Sequence, residues 1–231
     1  MSRWVLRQSL RNRIVHWGIA LTCFGLIFTG ILQMPVAKRY GLDRMLGAWA
    51  ADYDFTLLLH LGLGALFTGL CIFHLVVHTL EGDFDIVPQK GDVRASWLVI
   101  RAMIRGEKEP PAQKYLPEQR LAWAGFVFAF ALVIVTGLLK TAKNVNGWDF
   151  PDPWLTWLAM GHNLGMFLTI LLFIGHMAAF LFKPNRALLP GMWRVASTPI
   201  MRGNGIRSGI PTGKTERFFT LGTDSKNRGF H

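Results

Sequence analysis

Residues 161–182 read GHNLGMFLTILLFIGHMAAFLF. The stretch is apolar and long enough to cross a bilayer, yet it holds His162 and His176. A polar ring buried in hydrocarbon without a partner costs several kcal/mol, so each imidazole there needs a bond or a metal. Seven histidines occur in the chain, and six lie within or at the end of an apolar run: His16, His60, His74, His78, His162 and His176. His162 and His176 are fourteen residues apart, as are His60 and His74. Fourteen residues of α-helix turn through about 1400°, which leaves both side chains within about 40° of one face and about 21 Å apart along the axis. One histidine in a span is often a packing or proton-relay residue. Two runs with the same interval point to two stacked sites.

The elements that must carry these residues are membrane helices. Residues 14–34, 56–79, 121–139 and 161–182 are nearly free of charge in a 231-residue chain that is 51% hydrophobic. About twenty apolar residues at 1.5 Å each cover a hydrocarbon core of about 30 Å. The expectation is an all-α integral membrane four-helix bundle over 1–190, followed by an extended tail over 191–231 rich in Gly, Ser, Thr and charge. The basic start and first apolar run could suggest a signal peptide, but GILQMPVAK has no small-x-small cleavage pattern, so it reads as a retained span. Twenty of the 25 Lys and Arg residues lie before span 1, between spans 2 and 3, or after span 4. The positive-inside rule then puts both termini and the middle loop in the cytoplasm of a bacterial inner membrane. The net charge of +11 is accounted for by topology and anionic lipid, without a nucleic-acid partner.

With that topology spans 2 and 4 run parallel, from outside to inside. His60 and His162 share a periplasmic depth, and His74 and His176 a cytoplasmic one. His16, opening span 1, is also cytoplasmic. Two imidazoles from different helices at each depth suit a six-coordinate haem iron. Zinc ordinarily takes three or four ligands, often Cys or carboxylate, and no carboxylate lies in any span. Gly62, Gly64, Gly161 and Gly165 flank the outer histidines, where small residues admit a porphyrin or close helix packing. At the inner depth His16 and His74 compete to pair with His176, and spacing alone leans to His74. Cys23 and Cys71 lie inside spans without a CxxC motif and read as small packing residues. Thr29-Gly30 and Thr136-Gly137 recur near the outer ends of spans 1 and 3.

RNRIVHWGIALTCFGLIFTG, HLGLG at 60–64, KYLPEQRLAWAGFVFAFALVIVTGL at 114–138 and the His162/His176 interval together carry a resemblance. In order and spacing they resemble the dihaem cytochrome b subunits of respiratory formate dehydrogenases. Those sit within the wider group of nickel–iron hydrogenase and thiosulfate reductase cytochromes b. The resemblance covers about residues 11–190. It implies two haems b, the periplasmic-side one ligated by His60 and His162 and the cytoplasmic-side one by His16 and His176. It also implies a quinone site near the approach to span 3, where Tyr115 and Gln119 match. Leu116 and Glu118 stand where the formate dehydrogenase relatives carry an Asn and a Gly, and Glu118 could take a quinol proton.

No nucleotide loop, cluster-binding cysteine set or nucleophile triad is present in the sequence. Substrate chemistry would therefore belong to a catalytic periplasmic oxidoreductase subunit and its iron–sulfur subunit. This chain would pass electrons between them and menaquinone or ubiquinone, with protons taken from the cytoplasm. Rival readings are a hydrogenase or thiosulfate reductase anchor, a stand-alone cytochrome b561, and a haem-free membrane scaffold or proton conductor. Trp49, Tyr53, Trp148, Trp154 and Trp157 in the outer loops suit an interfacial aromatic belt or a docking face. The purified chain is expected to hold two low-spin haems b by pyridine haemochrome assay. One haem per chain, or a covalent c-type spectrum, would refute the paired-site reading.

Overall fold

The computed structural model describes residues 4–5, 10–82, 84–105, 115–181 and 198–199. Trp4–Val5 (β1) pairs antiparallel with Thr198–Pro199 (β2). Between them run α1 (Leu10–Gln33), three short helices α2 (Pro35–Arg39), α3 (Leu42–Met45) and α4 (Ala48–Ala51), then α5 (Tyr53–Glu81), α6 (Asp92–Arg105), α7 (Pro117–Asn146) and α8 (Asp152–Ala178). Helices α1, α5, α7 and α8 are each long and apolar enough to cross a membrane. The protein is a multi-pass helical bundle of the bacterial inner membrane; α5 and α7 extend their apolar runs at both ends, and α1 and α8 extend theirs at the N-terminal end. Most of the expected tail, 191–231, lies outside the described residues.

Local chemistry sets the helix limits. Pro35 ends α1, since it has no N–H to continue the ladder. The Asp52 carboxylate accepts from the Phe55 N–H at 3.1 Å and caps α5. Gly82, at φ 64°, and Gly147, at φ 65°, end α5 and α7 in the left-handed conformation that favours glycine.

Two antiparallel hairpins form the bundle. Helix α1 packs on α5, where a Cβ on Gly18 would meet Leu70 at 3.0 Å and one on Gly25 would meet Leu63 at 2.8 Å. Helix α7 packs on α8, where a Cβ on Gly165 would lie 2.6 Å from Val133 Cγ1 and 3.3 Å from its backbone nitrogen. With lipid as apolar as leucine, such close backbone approach is what drives helices together. Thr22, Thr29, Thr136 and Thr169 are buried, and each hydroxyl donates to the carbonyl four residues back at 2.6–2.8 Å. Each thus meets its hydrogen-bond need inside its own helix. Two aromatic contacts join the hairpins at mid-depth. Phe24 of α1 meets Phe173 of α8 at 4.7 Å, and Phe67 of α5 meets Phe130 of α7 at 4.9 Å.

Helix α6 lies in what the charge pattern presents as a loop. Its basic residues mask an amphipathic repeat. Ser96, Val99 and Ala102 are buried, while Val93, Trp97 and Ile100 are exposed beside Arg94 and Arg101, a pattern suited to a membrane surface. Helix α6 is tied to the start of α7 by Arg120, which donates to both Asp92 oxygens at 2.5 and 2.8 Å and to the Tyr115 carbonyl at 3.0 Å. The Gln89 N–H also donates to Asp92, at 2.7 Å. The Arg120 bonds, then the Gln89 N–H, hold the Asp92 carboxyl down at about 2. A depressed carboxyl contributes stability above its unfolded value of about 3.9 and loses it as pH falls through about 2. Hydrogen exchange in 92–105 should therefore be unaffected by the Asp92 bond between pH 7 and 4.5. Asp92→Asn at pH 7 should speed it roughly tenfold. Unchanged exchange in that variant would show that the ion pair does not hold α6.

Candidate functional site

The six histidines within or at the ends of the spans fall into three pairs. His60 (α5) and His162 (α8) face each other at one end of the bundle, ring centres 6.3 Å apart. His16 (α1) and His176 (α8) do so at the other end, at 6.4 Å. His74 has its ring contact with His78, at 4.6 Å along α5. Geometry thus brings His16 to His176, where spacing leaned to His74. The reason is the hairpin register, which only packing sets. Arg11 meets Glu81 and Gln33 Nε2 donates to the Thr56 carbonyl, so α1 enters at the level where α5 leaves.

The His60–His162 pair is held by hydroxyls. Thr29 Oγ1 donates to the Gly25 carbonyl at 2.8 Å and lies 2.8 Å from His60 Nδ1. Thr136 Oγ1 donates to the Leu132 carbonyl at 2.6 Å and lies 2.9 Å from His162 Nδ1. A hydroxyl has one hydrogen. With it given to a carbonyl, the oxygen can only accept from Nδ1–H. In that arrangement the ring proton sits on Nδ1 and the Nε2 lone pair is kept for a metal, as expected around metal-bound histidine. The next residue makes room. A Cβ on Gly30 would meet His60 Cε1 at 3.5 Å, and one on Gly137 would meet His162 Cε1 at 3.3 Å. The roles of Thr29, Gly30, Thr136 and Gly137 are not legible in the sequence beyond a repeated TG.

The inner pair is framed by aromatic rings. Trp17 stands edge-on to His16 at 5.8 Å, and Phe126 and Phe180 stand edge-on to His176 at 6.2 and 5.6 Å. Gly175, beside His176, has open space where a Cβ would project.

An imidazole nitrogen lies about 2 Å from a metal it binds and roughly 1.1 Å from its own ring centre, so two rings on opposite sides of one metal stand about 6.2 Å apart. Both pairs meet that distance. No group of three or more His, Cys, Asp or Glu suited to a metal ion occurs among the described residues. Of the residues proposed for quinone contact, Gln119 Oε1 accepts from the Leu116 N–H at 3.2 Å and so caps α7. Tyr115 and Glu118 stand beside it, partly buried. The five outer aromatic residues are all exposed, and Lys38 lies over the Tyr53 ring. Cys23 and Cys71 are free and half-buried.

Residues 7–194 match the protein family described as prokaryotic cytochrome b561. No curated protein matches the chain significantly.

Replacing either threonine by valine keeps the shape and removes the acceptor. Thr29→Val and Thr136→Val should each weaken metal-centre retention at the outer pair about 10–100-fold, the usual cost of losing a partner behind a ligand. The inner pair should keep its centre. Haem-to-protein ratio and redox titration read both. Two fully occupied centres with unshifted midpoints in both variants would deny the hydroxyls an orienting role.

Proposed function

The chain belongs to the prokaryotic cytochrome b561 family, and from that premise we propose that it is the dihaem, quinone-reactive membrane anchor of a periplasmic oxidoreductase. It is a membrane cytochrome b in electron transfer. The observation that carries the finer reading is the pair of facing imidazoles at each end of one bundle, at 6.3 and 6.4 Å. A haem b held by two imidazoles supplies one-electron chemistry and leaves no position open for a substrate. His60 and His162 hold the outer haem, their Nδ1 protons directed to Thr29 and Thr136, respectively, on the neighbouring helices. His16 and His176 hold the inner one. The chain's own work is to fix ligation, spacing and dielectric.

Both termini face the cytoplasm in this reading, on the distribution of Lys and Arg. Electrons then enter from an iron–sulfur subunit at the outer face, where Trp148, Trp154 and Trp157 are exposed, and leave to menaquinone or ubiquinone at the inner end. The quinone meets the chain where α7 begins. Tyr115 and Glu118 are its nearest polar contacts, with Gln119 ordering the helix start. Glu118 takes or gives the quinol proton on the cytoplasmic side. The resemblance of residues 114–138 supports a formate dehydrogenase as the partner. A stand-alone cytochrome b561 is the second reading, favoured by the description of the matched family. Mild-detergent purification of the native complex distinguishes them, since only the first brings an iron–sulfur subunit along.

Single substitutions test the ligands. His162→Gln should remove the outer low-spin signal and His16→Gln the inner, each leaving the other haem. His74→Gln should keep both signals and at most slow quinone reduction. Loss of the inner signal from His74→Gln, with retention in His16→Gln, would move the inner haem to a ligand pair on α5 and α8.

A further inference from the structure

We propose that Arg13 anchors a propionate of the haem at the inner end of the bundle. The inference rests on the reading that His16 and His176 hold that haem. Arg13 is 7% exposed, and its Nε is buried without a hydrogen-bond partner among the described residues. Nor does its guanidinium form an ion pair among them. Two other arginines differ. Arg11, two residues before, pairs with Glu81, and Arg120 is paired twice over with Asp92. The sequence supplies acids to those two, while α1 contains no Asp or Glu at all. A buried guanidinium without counter-charge is strongly unfavourable, so its anion comes from outside α1.

Position points to the source. Arg13 is three residues before His16, one turn nearer the inner end and on the same side of α1. A haem ligated by His16 carries two carboxylates as its only charged substituents. Across the hairpin, His78 Nδ1 is a second buried atom without a partner, on the ring that meets His74. The Arg11–Glu81 bond sets the register that brings this stretch of α5 to the start of α1. Two unsatisfied groups thus lie at one end of one hairpin, beside a ligand histidine. A phosphate from anionic lipid has the same charge chemistry. Burial by the helices favours the haem carboxylate, because lipid headgroups reach the exposed cations first.

A cation next to a propionate favours the reduced haem, which carries one more electron. In the full haem-loaded chain, Arg13→Gln should make the inner midpoint more negative by about tenfold in the reduction equilibrium, or about 59 mV for one electron. Arg13→Lys should retain most of the wild-type value. Arg11→Gln, which removes an exposed charge nearby, should not move it. Wild-type apoprotein loaded with haem dimethyl ester, which has lost the carboxylate charges, should shift the inner midpoint in the opposite, positive direction, and Arg13→Gln should then move it by much less than tenfold. Retained haem with an unshifted inner midpoint in Arg13→Gln overturns the proposal. So does a full Arg13→Gln shift that persists with the ester. A shift seen in vesicles containing phosphatidylglycerol and absent in phosphatidylcholine vesicles assigns Arg13 to lipid phosphate and overturns it equally. If Arg13→Gln does not load haem, the ester shift in wild type compared with that in Arg13→Lys decides: equal shifts support the pairing, and no shift in either overturns it. A wild-type chain holding only the outer haem would instead refute the ligand reading beneath the inference.

Discussion

An imidazole placed in hydrocarbon needs both of its nitrogens engaged. At the His60–His162 end of this bundle that constraint is met by a threonine whose hydroxyl hydrogen is already given to its own helix, so that its oxygen accepts from the imidazole of the next helix. The bond settles three things together. It fixes the tautomer, it fixes the ring orientation, and it locks the two helices of a hairpin in register. Because α1–α5 and α7–α8 use the same device, His60 and His162 approach from two separately built units with their Nε2 atoms available. Each ring also lies against the glycine after its threonine, most tightly at Gly137, where a Cβ would meet His162 Cε1 at 3.3 Å.

The rest of the architecture serves the distance between two such units. Within a hairpin, Gly25 and Gly165 let backbones approach until leucine and valine side chains touch the opposing helix. Between hairpins the contacts are large rings, Phe24 on Phe173 and Phe67 on Phe130, placed between the two histidine levels. Tight packing inside the hairpins and bulky spacers between them leave the histidine pairs at the separation one metal requires. The bundle ends differ in chemistry. The outer pair is ordered by hydroxyls, while the inner pair is ordered by aromatic edges and neighboured by buried polar groups, with α6 held against the start of α7 by Asp92 and Arg120. In the proposed function this is the end where quinone and protons are exchanged, and polar groups there have work that the outer end does not need.

Much of this is determined by the sequence alone. Four apolar runs of bilayer length can only be spans, because any other placement exposes too much hydrocarbon to water. The fourteen-residue interval follows from helix geometry and puts His162 and His176 on one face without knowledge of any neighbour. The residues 11–190 that carry the resemblance fall within the 7–194 matched by the cytochrome b561 family. What only the tertiary structure decided is which residues meet across helices. His16 and His74 are equally placed in depth, and hairpin register with helix rotation, not spacing, turns His16 toward His176 and His74 toward His78. The threonine partners, the capping role of Gln119 and the docked helix α6 were hidden for the same reason. Periodicity along one chain reports which face a residue lies on, and says nothing of what the opposite helix brings to that face.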